Sequence, residues 1–256
     1  PVRFTLFQKR EYFTPKQAEL AAETYIFDYE KKKVAHEISQ LLHQKDPFTA
    51  VVSLTEFGLE LAAEIKENLQ IRGYSLFSAR VTRDKALMRK VLNENGISPL
   101  SFQLCESIED VQAFWNQVKK PIILKPLKGY GSTGISYIQS EGDLKKAWEY
   151  SSKMGLPLIA EEFVDGPELS VEAMTIDGKH QILAITEKLT TEKPHFVEIG
   201  HQMPARLTKQ QTEEIEQLIT RFLDLIQYTV GPSHTEIRLS SNGPKIIESH
   251  TRTGGD

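Results

Sequence analysis

Ile122-Ile123-Leu124-Lys125-Pro126 runs into Lys128-Gly129-Tyr130-Gly131-Ser132-Thr133-Gly134 and then into Ile135-Ser136-Tyr137-Ile138. Two short apolar runs flank a cluster of small residues, so the segment reads as strand (Pro121–Lys125), loop, strand (Gly134–Ile138). This order excludes two familiar nucleotide folds. A Walker A loop needs Gly-Lys-Ser/Thr ahead of a helix, and the dinucleotide fingerprint also opens a helix, whereas here a strand follows. Glycines let backbone N–H groups approach phosphate oxygens, so the loop around Ser132 and Gly134 can lie over phosphates; it can equally be a hairpin loop that needs unusual φ. Lys125 favours the first reading, because a lysine ending three aliphatic residues is costly to bury without an anionic partner.

On the N-terminal side, strand and helix patterns alternate. Phe4–Phe7 reads as a strand, and 28–44 as a helix on Val34, Ile38, Leu41 and Leu42. Thr49–Leu54 reads as a buried strand, and Glu56–Leu69 as a helix on Leu59, Ala62, Ala63 and Ile65, together suggesting a doubly wound, Rossmann-like unit. A helix over 85–95 is capped by Asp84 or Thr82 and stopped by Gly96, and Ser107-Ile108-Glu109-Asp110 resembles a capping box for a helix through Trp115 and Val118.

On the C-terminal side, strands are expected at Leu158–Val164, Leu169–Ile176 and Gln181–Glu187, with Asp177-Gly178 as a hairpin turn. A long helix over 208–227 precedes strands at Thr235–Leu239 and Lys245–His250. The fold class is therefore an α/β unit followed by an α+β unit, with a boundary near 76–84.

Composition narrows the function. The 256 residues are 39% hydrophobic and 26% charged, which argues against disorder or coiled coil. With 31 Lys+Arg against 35 Asp+Glu, no overall basic field points to nucleic acid or an anionic membrane. No apolar run approaches the ~20 residues of a membrane span, and no secretory signal opens the sequence. Cys105 is the single cysteine, which excludes an internal disulfide or a cysteine-based zinc site and suggests a reducing, cytoplasmic setting. Cys105 itself reads as a small packed residue, and Lys31-Lys32-Lys33 as a solvated helix face.

Two acidic segments carry chemistry. Leu158-Ile159-Ala160-Glu161-Glu162-Phe163-Val164 leads into Asp165-Gly166-Pro167-Glu168, an aliphatic strand ending in carboxylates before a turn. Backbone groups near Phe163 and Val164 can read an adenine edge and a carboxylate can accept from ribose hydroxyls; a solvated polar hairpin is the alternative. At the end of the chain, alternation puts Glu236 and Arg238 on one face of one strand, and Glu248, His250 and Arg252 on one face of the next. A three-residue loop, Ser241-Asn242-Gly243, sets Glu236 opposite Glu248, with Cβ atoms about 4.5–5.5 Å apart. A divalent cation, Mg²⁺ by the hardness of the oxygens, relieves that repulsion. A two-residue loop instead puts the acids on opposite faces.

In this order and spacing, Asp84-Lys85, Lys125, the glycine loop, Glu161-Glu162-Phe163-Val164, Glu168, Glu236 and Glu248–Arg252 resemble the ATP-grasp superfamily. The segment from Pro194 to His201 and the ending His250-Thr251-Arg252-Thr253-Gly254-Gly255-Asp256 look most like its carboxylate–amine ligases related to bacterial L-amino acid ligases. The resemblance implies a Rossmann-like pre-ATP-grasp domain over 1–80 and an ATP-grasp domain over 81–256, with the glycine-loop subdomain at about 115–187 and the metal-binding part at about 188–256. It implies that Lys85 and Lys125 contact ATP phosphates, with the glycine loop at Ser132 and Gly134 over them. Glu161 and the backbone at Phe163 and Val164 would hold adenine, and Glu168 ribose. Glu236 and Glu248 would bind Mg²⁺, or Mn²⁺ in its place. Arg252 matches the arginine that steadies the transferring phosphoryl group. His250 stands where many members have asparagine, so a phosphate or substrate contact is assigned to it. Lys188 is a further candidate phosphate contact.

The implied activity is ATP-dependent joining of a small carboxylate to an amine, with amino acids as expected substrates and no nucleic acid or membrane partner. A homodimer is compatible with it. Purine-pathway and biotin-carboxylase-like ligases, or an ATP-binding module without turnover, are the alternatives. His195 and His201 are expected to flank a substrate-facing or packed loop, and Glu198 reads either as a contact to a substrate amine or as an exposed acid. The missing initiator methionine and the stop at Gly254-Gly255-Asp256 raise the expectation of a fragment with both domains incomplete.

Overall fold

A computed structural model describes residues 2–127, 133–191 and 198–255. Strand β1 (Thr5–Gln8), helix α1 (Pro15–Leu20) and strand β2 (Glu23–Ile26) come first. The two strands pair in parallel, with Thr5 opposite Glu23, so α1 is the crossover of a small β–α–β unit. Helices α2 (Lys32–Lys45) and α3 (Leu59–Asn68) follow.

The strand expected over Thr49–Leu54 does not form. Ser53 Oγ donates to the Thr55 carbonyl and accepts from its N–H, which offers the backbone a local alternative to a ladder. The chain turns there into a single 3-10 turn, Glu56–Gly58, and Val52 and Leu54 stay exposed at 73% and 77%.

Helices α4 (Leu76–Arg83) and α5 (Lys85–Glu94) share Asp84, which ends the first and caps the second by accepting from the N–H groups of Ala86 and Leu87. Thr82 lies inside α4 and spends its hydroxyl on the Ser78 carbonyl. The boundary expected near 76–84 is thus a helix, with Ser78, Ala79 and Val81 fully buried.

Strand β3 (Phe102–Cys105), helix α6 (Ile108–Val118), strands β4 (Ile122–Pro126) and β5 (Ser136–Ile138), helix α7 (Leu144–Ser151) and strand β6 (Leu158–Glu162) form the next layer. Ser107 and Asp110 close the expected capping box on α6. The sheet is antiparallel in the order β3-β6-β4-β5, and its core of Phe114, Ile122, Leu124, Ile138 and Leu158 is completed by Val111 and Ala147. Cys105 belongs to this core; burial pushes its thiol up to about 12, which leaves it unreactive.

Strands β7 (Glu168–Ile176), β8 (Lys179–Thr190) and β9 (Glu198–Gln202), helix α8 (Lys209–Leu225), and strands β10 (Gly231–Ser240) and β11 (Gly243–His250) complete the chain. The sheet order is β11-β10-β7-β8-β9. Asp177 (φ 53°) and Gly178 (φ 72°) make the two-residue turn between β7 and β8, the geometry Asp-Gly favours. Helix α8 packs Ile215, Ile219, Phe222 and Leu223 into the same core as Leu59 and Ala63 of α3, Ala79 and Val81 of α4, and Met88 and Leu92 of α5. Residues on both sides of position 80 therefore share one core with this sheet, whose other face carries charged side chains.

Candidate active site

The hairpin β10–β11 fixes the centre of the site. Its loop is the two-residue form, Ser240 facing Gly243, and not the three-residue form expected. A bulge nevertheless restores the expected pairing. Between Ile237↔Ile246 and Glu236↔Glu248 the register shifts, so Ile247 is the extra residue and the two acids stand opposite each other.

Ladder registers then define three rows on the charged face. Lys188, Glu168 and Arg238 form one, and Thr186, Ser170, Glu236 and Glu248 the next. Ala184, Glu172, His234 and His250 form the third.

Each acid of the central pair is held by a lysine expected to contact phosphate. Lys85 Nζ, at the first turn of α5, lies 2.8 Å from Glu248. Lys188 Nζ lies 2.8 Å from Glu236, 3.0 Å from Glu168 and 3.3 Å from Glu198. Burial opposes the charge of both Lys188 and Glu236, yet their partners outweigh it. Lys188 is shifted up by Glu236 and Glu168, and Glu236 is shifted down by His234 and Lys188.

Lys125 finds its anionic partner in the protein. Its Nζ lies 2.5 Å from Glu161, whose other oxygen accepts from Arg89 Nε at 2.8 Å. Arg89 is fully buried on α5 and also donates to the Ile246 carbonyl at 2.9 Å, which links the two sheets. Burial disfavours the Glu161 carboxylate, but Lys125 and Arg89 outweigh it and hold its pKa at about 2. Glu161 was expected at adenine; its carboxylate is instead taken up by these two cations. Along the same strand end, Phe163 donates its N–H to the Pro121 carbonyl, and its ring packs against Tyr137 at 4.8 Å and under the Arg238 guanidinium at 5.2 Å. The Val164 carbonyl accepts from Arg238 at 3.4 Å. Glu168, expected at ribose, is gripped by Arg238 at 2.8 Å as well as by Lys188.

The third row holds residues that sequence reasoning missed. His234 Nδ1 is hydrogen-bonded to Glu172 and its Nε2 lies 3.8 Å from Glu236. Burial lowers its pKa, but Glu172 and Glu236 overcome this and raise it to about 9. His250 Nδ1 lies 3.0 Å from Glu56 and its Nε2 3.5 Å from Glu248. Arg252 Nε lies 3.0 Å from the same Glu56, and its guanidinium donates to the Thr253 carbonyl. Burial works against the Glu56 charge; His250 and Arg252 outweigh it and hold Glu56 below the usual carboxylate range. The two-residue alternation around Glu236 signals His234 and Arg238, and that after Glu168 signals Glu172. Arg89 lies one helical turn after Lys85. Nothing in the sequence links Glu56 to residues nearly 200 positions away.

Gly134, at the exit of the glycine loop, has φ +79°, and a Cβ there would meet Pro126 and Met154 at under 3 Å. Lys128–Ser132, residues 192–197 with His195, and Asp256 lie outside the described residues. His201 sits on β9 with its Nε2 2.9 Å from Glu198. Among the described residues no three or more His, Cys, Asp or Glu side chains form a ready-made metal cage. Two facing carboxylates, Glu236 and Glu248, are a donor set that fits Mg²⁺, which is usually held by one or two carboxylates together with substrate phosphates.

Residues 118–256, more than half of the chain, match the family model described as "ATP-grasp domain". The chain belongs to the ATP-grasp family. Alanine–anticapsin ligase of Bacillus subtilis (strain 168) is 26% identical over 231 residues, 80% of this chain and 48% of that protein. D-alanine–D-alanine ligase of Flavobacterium johnsoniae is 27% identical over 186 residues, 70% of this chain and 57% of that protein. The chain thus spans about half the length of the curated relatives it matches. Among solved structures, L-amino acid ligase from Bacillus licheniformis superposes with a TM-score of 0.82 at 24% identity, covering 98% of this chain and 61% of that one. An ADP complex of N5-carboxyaminoimidazole ribonucleotide synthetase gives 0.81 at 17% identity, covering 99% and 64%. At these identities the superpositions establish the ATP-grasp architecture alone.

Proposed function

We propose that this ATP-grasp protein is an ATP-dependent carboxylate–amine ligase that activates a carboxylate as an acyl phosphate and joins it to an amine, with amino acids as substrates. The observation that carries the reading is the Glu236–Glu248 row with Lys85 and Lys188 on its carboxylates. It supplies paired hard-oxygen ligands and phosphate-binding cations in one place. The amide-forming relatives named above support the amino acid substrates.

In this reading a carboxylate oxygen attacks the γ-phosphorus of ATP and ADP leaves. The amine nitrogen then attacks the acyl carbon, phosphate leaves and the amine loses a proton. Lys85, Lys125 and Lys188 hold phosphate oxygens, and Glu161 with Arg89 keeps Lys125 in place. Gly134 and Ser132 belong to the loop over the phosphates. Phe163 and Val164 flank adenine, and Glu168 takes the ribose. Glu236 and Glu248 hold Mg²⁺, which neutralises charge on the phosphates when bound. Arg252 steadies the transferring group, a term that dominates catalysis where no protein nucleophile is needed. Glu198, which pairs with His201 and Lys188, is assigned the substrate amine in this reading. ADP formation with a pool of amino acids tests the proposal: it is expected to depend on both a carboxylate and an amine, and to vanish in Glu248→Gln and Lys125→Ala. Full turnover in both variants would overturn it.

A further inference from the structure

Beside the Glu236–Glu248 row stands the third row, whose arrangement is nearly symmetric. His234 and His250 are directly opposite on β10 and β11, with ring centroids 6.1 Å apart and planes at 22°. Each imidazole is fixed at Nδ1 by a carboxylate from another element, His234 by Glu172 of β7 and His250 by Glu56 of the turn before α3. Each directs Nε2 to one acid of the central pair, at 3.8 Å to Glu236 and 3.5 Å to Glu248. The outer acids are themselves constrained. A Cβ on Gly254 would come within 3.2 Å of both Glu172 and His234, and Glu56 also holds Arg252.

A facing pair of glutamates repels itself and has three side-chain torsions each, so its oxygens converge on one point only if something orients them. Lysines on flexible stems neutralise the pair without fixing direction. Planar imidazoles anchored at the far nitrogen do fix it, as outer-shell partners do for metal ligands generally. We infer that Glu172–His234 and Glu56–His250 are two carboxylate–imidazole struts that orient Glu236 and Glu248 for a divalent cation, with Glu172 and Glu56 as positioning residues. The inference rests on the reading of Glu236 and Glu248 as metal ligands.

The test is Mn²⁺ binding to the protein in the presence of ADP, followed by electron paramagnetic resonance, for wild type, Glu172→Gln, Glu56→Gln, His234→Asn and Glu172→Gln/His234→Asn. Both glutamine variants are nearly isosteric at partly exposed side chains (32% and 28%), so melting temperatures are expected to stay near wild type. Mn²⁺ affinity is expected to fall about 10–100-fold in each single variant, as for outer-shell partners elsewhere. The double variant is expected to lose no more than His234→Asn alone, because the glutamate acts through the histidine. Unchanged Mn²⁺ affinity in both glutamine variants, or additive losses in the double variant, would overturn the struts while leaving the ligase reading intact. Failure of the wild type to bind Mn²⁺ with ADP would overturn both.

Discussion

Lys125 shows how far a single residue can be read. Its position after three aliphatic residues demands an anion, and the structure supplies one in Glu161, itself shared with Arg89. The demand was legible; the partner was not. It depends on the β4–β6 register, which sets Ile123 opposite Glu161 and so places Lys125 on the neighbouring diagonal. Removing Arg89 leaves Lys125 paired with Glu161 but strips the donor from one Glu161 oxygen and from the buried Ser98 and Ile246 carbonyls, so Arg89→Met is expected to lower stability by about 1–3 kcal/mol in urea denaturation. A second buried cation behaves differently. Lys66 is 3% exposed, with its ammonium over the Tyr74 ring, and burial pulls its pKa down to about 7. The unfolded chain therefore binds this proton between about pH 7 and 10.5 while the folded chain does not, and stability attributable to Lys66 rises with pH across that window. Lys66→Met is expected to stabilise the protein more at pH 7 than at pH 10, compared by denaturation at both. An equal effect at the two values would show that Lys66 is charged when folded.

At the level of elements, caps and alternation were readable because they are local. Asp84, Ser107 and Thr208 all cap the helices they precede, each through a side-chain oxygen on the first-turn N–H groups. Non-local choices were not. Thr49–Leu54 has a strand's composition but finds no ladder. The β10–β11 hairpin combines both cases. Its alternation was legible, yet its turn is one residue shorter than the pairing required, and only the bulge at Ile247 puts Glu248 back on the face of Glu236. The turn between β6 and β7 is similarly tight: Gly166 has φ +116°, and a Cβ there would lie 2.1 Å from the Leu239 carbonyl oxygen. Because that obstacle is backbone, Gly166→Ala is expected to destabilise by about 2 kcal/mol or more and to displace Arg238 from the Gly166 carbonyl. A melting temperature equal to wild type would contradict the close approach.

For the whole molecule, the four-stranded and five-stranded sheets, each with its own core, are joined by charge. Arg89 reaches from Glu161 in one sheet to Ile246 in the other, and Lys85 on the same helix reaches Glu248. A nucleotide bound between the sheets should therefore stabilise the fold as a unit. ADP with Mn²⁺ at about 100 times its dissociation constant is expected to add about 2.7 kcal/mol. In Glu248→Gln the metal-dependent part of that gain is expected to disappear, as read by thermal unfolding with and without chelator. The family was legible because its charged residues keep their order along the chain; the rows they form were not, because rows come from ladder register. The measurement closest to the central claim is mass spectrometry of products after incubating the protein with ATP, Mg²⁺ and mixed amino acids. The account predicts an amide product with ADP and phosphate formed in equal amounts, all three lost in Glu248→Gln. Nucleotide binding without ADP formation from any carboxylate–amine pair, or release of AMP in place of ADP, would contradict it.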